Sequence, residues 1–128
     1  MKIEHLALMM KDPVAAAKWY SDNLRFTVIK QMNISPFAHF IADHPKKILL
    51  EIFRLPDKIV PDYRSLDPVI MHLGFSVLDI ETTYQKLVSA GAEVVSEISV
   101  SENGDKMAML RDPWGLPIQL IKRGMSLV

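Results

Sequence analysis

The stretch HLALMMKD, residues 5–12, is answered 67 positions later by HLGFSVLD, residues 72–79. Each begins on a histidine, runs through an apolar segment and ends on an aspartate. A second pair follows at almost the same offset: Glu51 inside LLEIF (49–53) and Gln119 inside PIQLI (117–121), 68 positions apart. A register kept to within one residue over half a chain reads as an internal duplication. The duplicated unit carries one imidazole and one side-chain oxygen donor each time, which makes the two copies look like halves of one site.

Periodicity supplies the elements of each copy. Residues 3–10 are predicted as a strand. Asp12 then offers a helix N-cap, and Pro13 stands at the first helical position, where its missing N–H costs nothing. This helix is expected to run to about Leu24, with Val14, Ala17, Tyr20 and Leu24 forming a buried stripe at three- and four-residue spacing. Strands over 26–31, 37–42 and 48–53 complete a βαβββ module. The second half repeats it: a strand over 69–77, Asp79 as cap, a helix to about Ala90 ended by Gly91 in a left-handed conformation, then strands over 93–98, 107–111 and 117–121. Asp112-Pro113-Trp114-Gly115 has the residues of a tight turn and should close the last hairpin. Between the copies, RLPDKIVPDYRSLDP carries three prolines and several charges, as expected of a surface connector. The chain is therefore read as an α+β domain with module one at about 1–54, a connector at about 55–68 and module two at about 69–128.

Strand alternation assigns faces. Ile3, His5, Ala7 and Met9 share one face, with Leu6, Leu8 and Met10 on the other. In the second copy His72, Gly74 and Ser76 oppose Met71, Leu73, Phe75 and Val77. The bulky faces suit packing under a helix. The histidine faces carry the small residues Ala7 and Gly74, which leave room for a cavity, and Glu51 and Gln119 are expected to face it. An ionised Glu51 flanked by Leu49, Leu50, Ile52 and Phe53 costs several kcal/mol to desolvate unless it is paired. Two partners remain open: a protonated histidine or arginine in an ion pair, or a metal cation held with His5, His72 and Gln119.

Composition narrows the function classes. With 128 residues, 49% of them hydrophobic, the chain has enough apolar material for one domain. Its formal net charge of zero, without a basic run, argues against nucleic acid as a partner. The absence of cysteine excludes disulfides, thiolate nucleophiles and sulfur-ligated zinc, so any metal must sit on nitrogen and oxygen. No apolar run approaches the roughly 20 residues of a membrane span, and a soluble, cytoplasmic protein is expected. Met9, Met71, Met107, Met109, Phe37 and Trp114 are candidates for an apolar pocket or, more simply, for core. Arg25, Arg54, Arg64, Arg111 and Arg123 are read mainly as solvated; His39 and His44, in or beside the third strand, are either further acid-base histidines or simply solvated.

Taken together, His5 with Asp12-Pro13 and Trp19-Tyr20, His72 with Asp79, the Ala90-Gly91 helix end, and Arg111-Asp112-Pro113-Trp114-Gly115 before Gln119 resemble the vicinal oxygen chelate superfamily. That group contains glyoxalase I, extradiol dioxygenases, methylmalonyl-CoA epimerase, fosfomycin-resistance proteins and bleomycin-resistance proteins. The resemblance covers nearly the whole chain and is nearest in ligand pattern to glyoxalase I-like proteins. It implies an open, eight-stranded, cup-like barrel flanked by helices, commonly homodimeric, around a divalent ion (Zn, Ni, Co, Mn or Fe). By position, His5, Glu51, His72 and Gln119 would be the ligands. The implied chemistry is a lyase or isomerase reaction on a small molecule whose adjacent oxygens chelate the ion. In glyoxalase I a last-strand carboxylate moves the proton. Here that place is Gln119, which leaves Glu51 as the candidate base. Two other family activities fit the same residues: extradiol cleavage, from a two-histidine, one-carboxylate set of His5, His72 and Glu51, and metal-free ligand sequestration of the bleomycin-resistance type.

Overall fold

The structure is a computed structural model that describes residues 1–127; Val128, at the end of the expected second module, lies outside them. The chain is built of two compact units, Met1–Pro61 and the segment from Asp62 onward. In the first unit β1 (His5–Met9), α1 (Pro13–Leu24), β2 (Thr27–Gln31), β3 (His39–Ala42) and β4 (Leu49–Phe53) form a sheet of order β1-β4-β3-β2. In the second, β5 (Leu73–Ser76), α2 (Ile80–Ser89), β6 (Glu93–Val100), β7 (Lys106–Arg111) and β8 (Pro117–Lys122) give β5-β8-β7-β6. Both are βαβββ modules with the same connectivity. The first strand pairs parallel to the last and the other pairs are antiparallel, so the duplication read from the sequence is a duplication of topology.

The helix starts form as the caps demand. Asp12 Oδ1 accepts from the Ala15 amide at 2.9 Å, and Asp79 Oδ1 accepts from the Thr82 amide at 3.0 Å, each satisfying one orphan donor of the first turn. Helix α2 ends before Gly91, which has φ +99°. In α1 the buried stripe is rotated from the expected one. Pro13, Ala16, Ala17, Trp19 and Tyr20 are buried, whereas Val14 is exposed. Ala16 beside Ala17 lets the helix approach the sheet on that side, and Tyr20 packs edge-on against Trp19 and Phe26.

Leu8 and Met10 of the first strand are buried, as are Leu50 and Ile52 of β4, so one face of the module-one sheet is core. In module two Ile118 and Leu120 are fully buried, beneath the buried Ile80 and Leu87 of α2. Each core burial of this kind contributes about 1.5–3 kcal/mol.

Two expectations fail for local reasons. Residues 69–72 do not extend β5. Asp67 captures this segment instead: its Oδ1 accepts from the Val69 amide at 2.9 Å and its carbonyl from Ile70 and Met71, so an apolar triplet that reads as strand forms a turn. The connector is not wholly at the surface either. Tyr63, in a short 3-10 turn over Tyr63–Ser65, is buried, and Arg111 donates to the carbonyls of Tyr63 at 3.1 Å and Leu66 at 2.9 Å. Arg111 is thus a structural tie. Arg123 pairs with Asp105 at 2.6 Å, and Arg64 pairs with Glu93, so these three arginines are engaged rather than solvated.

Candidate functional site

In module one, β1 and β4 lie parallel with Ala7 opposite Glu51 and His5 opposite Leu49, while Phe40 of β3 flanks Glu51 on its other side. Alternation then places His5, Glu51 and Phe40 on the face opposite the core. The side chains meet there: His5 Nε2 lies 3.4 Å from Glu51 Oε2, and the His5 and Phe40 rings stand edge-on at 6.0 Å. The small Ala7 leaves the space beside Glu51 open. Module two repeats the row. Gly74 lies opposite Gln119, and a methyl group added at Gly74 would sit 3.9 Å from Gln119 Oε1. His72 stands one residue ahead of β5, half-buried.

Both histidines are held by the same ring nitrogen. His72 Nδ1 lies 2.6 Å from the Pro68 carbonyl oxygen. A carbonyl can only accept, so Nδ1 carries the proton, and the neutral ring presents Nε2 as its lone-pair nitrogen. His5 Nδ1 is engaged by the Glu4 carboxylate, and its Nε2 is directed at Glu51. This is how metal-binding imidazoles are oriented: the distal N–H is anchored to a carboxylate or backbone carbonyl.

The two donors of module one are also correctly separated for a shared cation. Ligand atoms bonded at about 2.0–2.2 Å to one tetrahedral ion stand about 3.4 Å apart, which the Nε2 to Oε2 distance matches. Among the described residues no three His, Asp or Glu side chains gather closely enough to form an ion site by themselves. His5 and Glu51 come together within one unit; His72 and Gln119 belong to the other.

Glu4 is the residue that sequence reasoning passed over. Its hydrogen bond raises the His5 pKa above 6.5, opposed in part by desolvation and helped by the charges of Glu4 and Glu51. Protonation is favoured in the folded state, so this contribution to stability is present below about pH 6.5 and is lost as pH rises through the higher folded value. A titration of the His5 ring protons by NMR, without metal, should give a midpoint above 6.5 that Glu4→Gln moves back down. A wild-type midpoint at or below 6.5 would refute this account.

His39 is not solvated, as the sequence suggested, but buried. It lies opposite the fully buried Ile52, on the core face, and its Nδ1 contacts the Phe37 carbonyl at 2.7 Å. It cannot act as an acid or base on the His5 face. His44 is exposed in the β3–β4 hairpin.

Comparison with known proteins agrees with this architecture. Residues 2–120 match the family model of the Glyoxalase/Bleomycin resistance protein/Dioxygenase superfamily, and the chain belongs to that superfamily. It is similar to the solved structure of SMU.1112c, at 31% identity over 95% of this chain and 98% of that one, with a TM-score of 0.72. It shares its fold with TnmS3, an antibiotic binding protein from Streptomyces sp. CB03234, at 18% identity, 97% coverage of both chains and a TM-score of 0.75. It also shares it with a glyoxalase I mutant from Zea mays, at 17% identity and a TM-score of 0.77, covering 97% of this chain but 46% of that one. No curated protein matches the chain in sequence. No helix of the described residues is long and apolar enough to cross a membrane.

Proposed function

We propose that the protein is a divalent-metal-dependent lyase or isomerase of glyoxalase type, acting on a small molecule with two adjacent oxygens. His5, Glu51, His72 and Gln119 would hold the ion, gathered by pairing of the two modules within one chain or across a homodimer. The observation that carries this reading is the shared anchoring of both histidines through Nδ1, which leaves each Nε2 as a donor. When bound, the ion would supply Lewis acidity toward the substrate oxygens. Two imidazoles, a carboxylate and an amide oxygen accept Zn, Ni, Co, Mn or Fe. The Gln119 amide cannot take up a proton, so proton movement falls to Glu51, whose side chain is 24% exposed and so reachable from the open face. Ala7 and Gly74 keep the space beside the two closing residues clear.

A second reading, metal-free ligand binding, has its own observation. The chain Glu4–His5–Glu51 already pairs each charge of the module-one half without a cation, and TnmS3, of the same fold, binds an antibiotic. The deciding experiment is metal uptake by the purified protein offered Mn, Fe, Co, Ni or Zn. It is followed by turnover of the hemithioacetal of methylglyoxal, of an acyl-CoA epimer and of catechols. Near-stoichiometric uptake with turnover of either of the first two substrates supports the proposal, and catechol cleavage would assign the extradiol reaction instead. No uptake and three inactive assays would leave the binding reading.

A further inference from the structure

Each module opens the hairpin before its last strand on an aspartate that caps the turn, and the comparison singles out the module-one turn. In module two, Asp112 Oδ1 accepts from the Trp114 and Leu116 amides, the Gly115 amide donates back to the Asp112 carbonyl, and Gly115 has φ +89°. In module one, Asp43 Oδ1 accepts from the Lys47 and Ile48 amides, at 2.8 and 2.9 Å. The Lys46 amide donates to the Asp43 carbonyl, and Lys46 has φ +69°. Lys46 therefore occupies, in a left-handed conformation that favours glycine, the place its own repeat gives to Gly115. Where module two carries Pro113 and Trp114, module one carries His44 and Pro45, and Lys46 and Lys47 follow them.

These lysines line a cavity of about 270 Å³ together with Lys2, Ile3, Glu4, Ile29, Ala42 and Leu49. Ala42 pairs with Leu49, and Leu49 with His5, so the cavity floor is one row of the sheet on the same face as His5 and Glu51. Adjacent rows on one face are separated by two residues along a strand, about 6.6 Å. Two carboxylates stand near, and both are committed: Glu4 to His5 Nδ1, and Asp43 to the hairpin amides. None of the three lysines has an ion-pair partner among the described residues.

We propose that this cavity is an anion subsite, holding a carboxylate or phosphate group of the ligand in the sheet row of His5, about one strand row from the part that meets Glu51. As a statement about the substrate it rests on the function proposed above; as a statement about anion binding it rests on the cavity alone. It selects, among small molecules with adjacent oxygens, those bearing a negative group a few bonds away. Clustered, unpaired ammonium groups over an apolar floor attract such a group with little loss to competing carboxylates.

The test is an amide NMR titration of the full chain with inorganic phosphate and, separately, succinate, at constant ionic strength. Saturable shifts at Ile29, Ala42, Lys46, Lys47 and Leu49 are expected for at least one anion. The Lys46→Gly, Lys47→Gln double variant should weaken them roughly tenfold or more. Lys46→Gly alone, which eases the backbone while removing a charge, should weaken them in the same direction and guards against misfolding. Shifts that grow without saturation for both anions, that are spread equally over Lys11, Lys18 and Lys122, or that survive the double variant would overturn the proposal. Metal uptake by the same samples separates the two claims. Saturable anion binding without uptake would leave the subsite standing and remove the metal enzyme, and uptake without anion binding would do the reverse.

Discussion

Asp112→Ala should lower the melting temperature by roughly 10 °C. The Asp112 side chain is wholly buried, and its Oδ1 accepts from the Trp114 and Leu116 amides, both at 2.9 Å. Leu116 is itself buried, so no water replaces the lost acceptor there. A buried donor left without a partner costs about 1–3 kcal/mol, and the buried Leu116 amide together with the part-buried Trp114 amide costs about 3 kcal/mol. For a domain of this size 1 kcal/mol corresponds to about 3–4 °C in melting temperature. Asp112→Asn, which keeps an acceptor oxygen, should cost about 1 kcal/mol. The duplication supplies an internal control, because Asp43 Oδ1 also accepts from two amides of the module-one hairpin, those of Lys47 and Ile48, with its side chain half-exposed. Asp43→Ala should cost about 1 kcal/mol, since water can solvate the freed amides. Calorimetry on the three variants checks this, and equal losses for Asp112→Ala and Asp43→Ala would show that burial is not what gives the turn its weight.

That control shows which properties a sequence announces. The duplicated register, the helix caps at Asp12 and Asp79, the last hairpin and the alternation that turns His5 and Glu51 away from the core all depend on residue type and spacing alone. These were legible. What was not legible depends on neighbours distant in sequence. The α1 stripe was read through Val14, Ala17, Tyr20 and Leu24, and packing against Phe26 and the sheet rotates it to Pro13, Ala16, Ala17, Trp19 and Tyr20. Val69, Ile70 and Met71 look like strand until Asp67 is seen holding their amides. His39 and Arg111 looked solvated because both types usually are, yet one lies on the core face and the other bonds carbonyls 45 and 48 positions away. Glu4 was visible as a residue but not as a partner, since adjacent side chains on an extended strand normally point apart. Within the candidate site, the pairing of His5 with Glu51 could be inferred from the repeat. The ring orientations that would suit both imidazoles to the proposed ion could not, because they are set by Glu4 and by the Pro68 carbonyl.

Those anchors lead to the second large effect, in metal affinity. His5→Ala and His72→Ala should each reduce uptake by about a hundredfold or more, since each removes a nitrogen donor that its anchor holds ready. Glu4→Gln should weaken uptake by about tenfold, through the orientation of His5 alone, as second-layer changes do. The deficit of Glu4→Gln should shrink as pH falls, because the proton and the ion compete for His5 Nε2 and the variant, without the Glu4 interaction that raises the His5 pKa, leaves less of the ring protonated. Thermal stability provides a readout that needs no substrate. Saturating metal at a hundred times its dissociation constant adds about 2.7 kcal/mol to a protein that binds it only when folded. The wild-type melting temperature should therefore climb by several degrees with metal, and that of His5→Ala and His72→Ala should barely move. Dependence on both histidines is the decisive element, since His5 with Glu51 alone is a two-donor half-site. If His72→Ala responds to metal as the wild type does, the ion is held by module one alone and the four-residue assignment fails. If the wild type does not respond at all, His5 and Glu51 are an ion pair in their own right, and the protein binds its ligand without a metal.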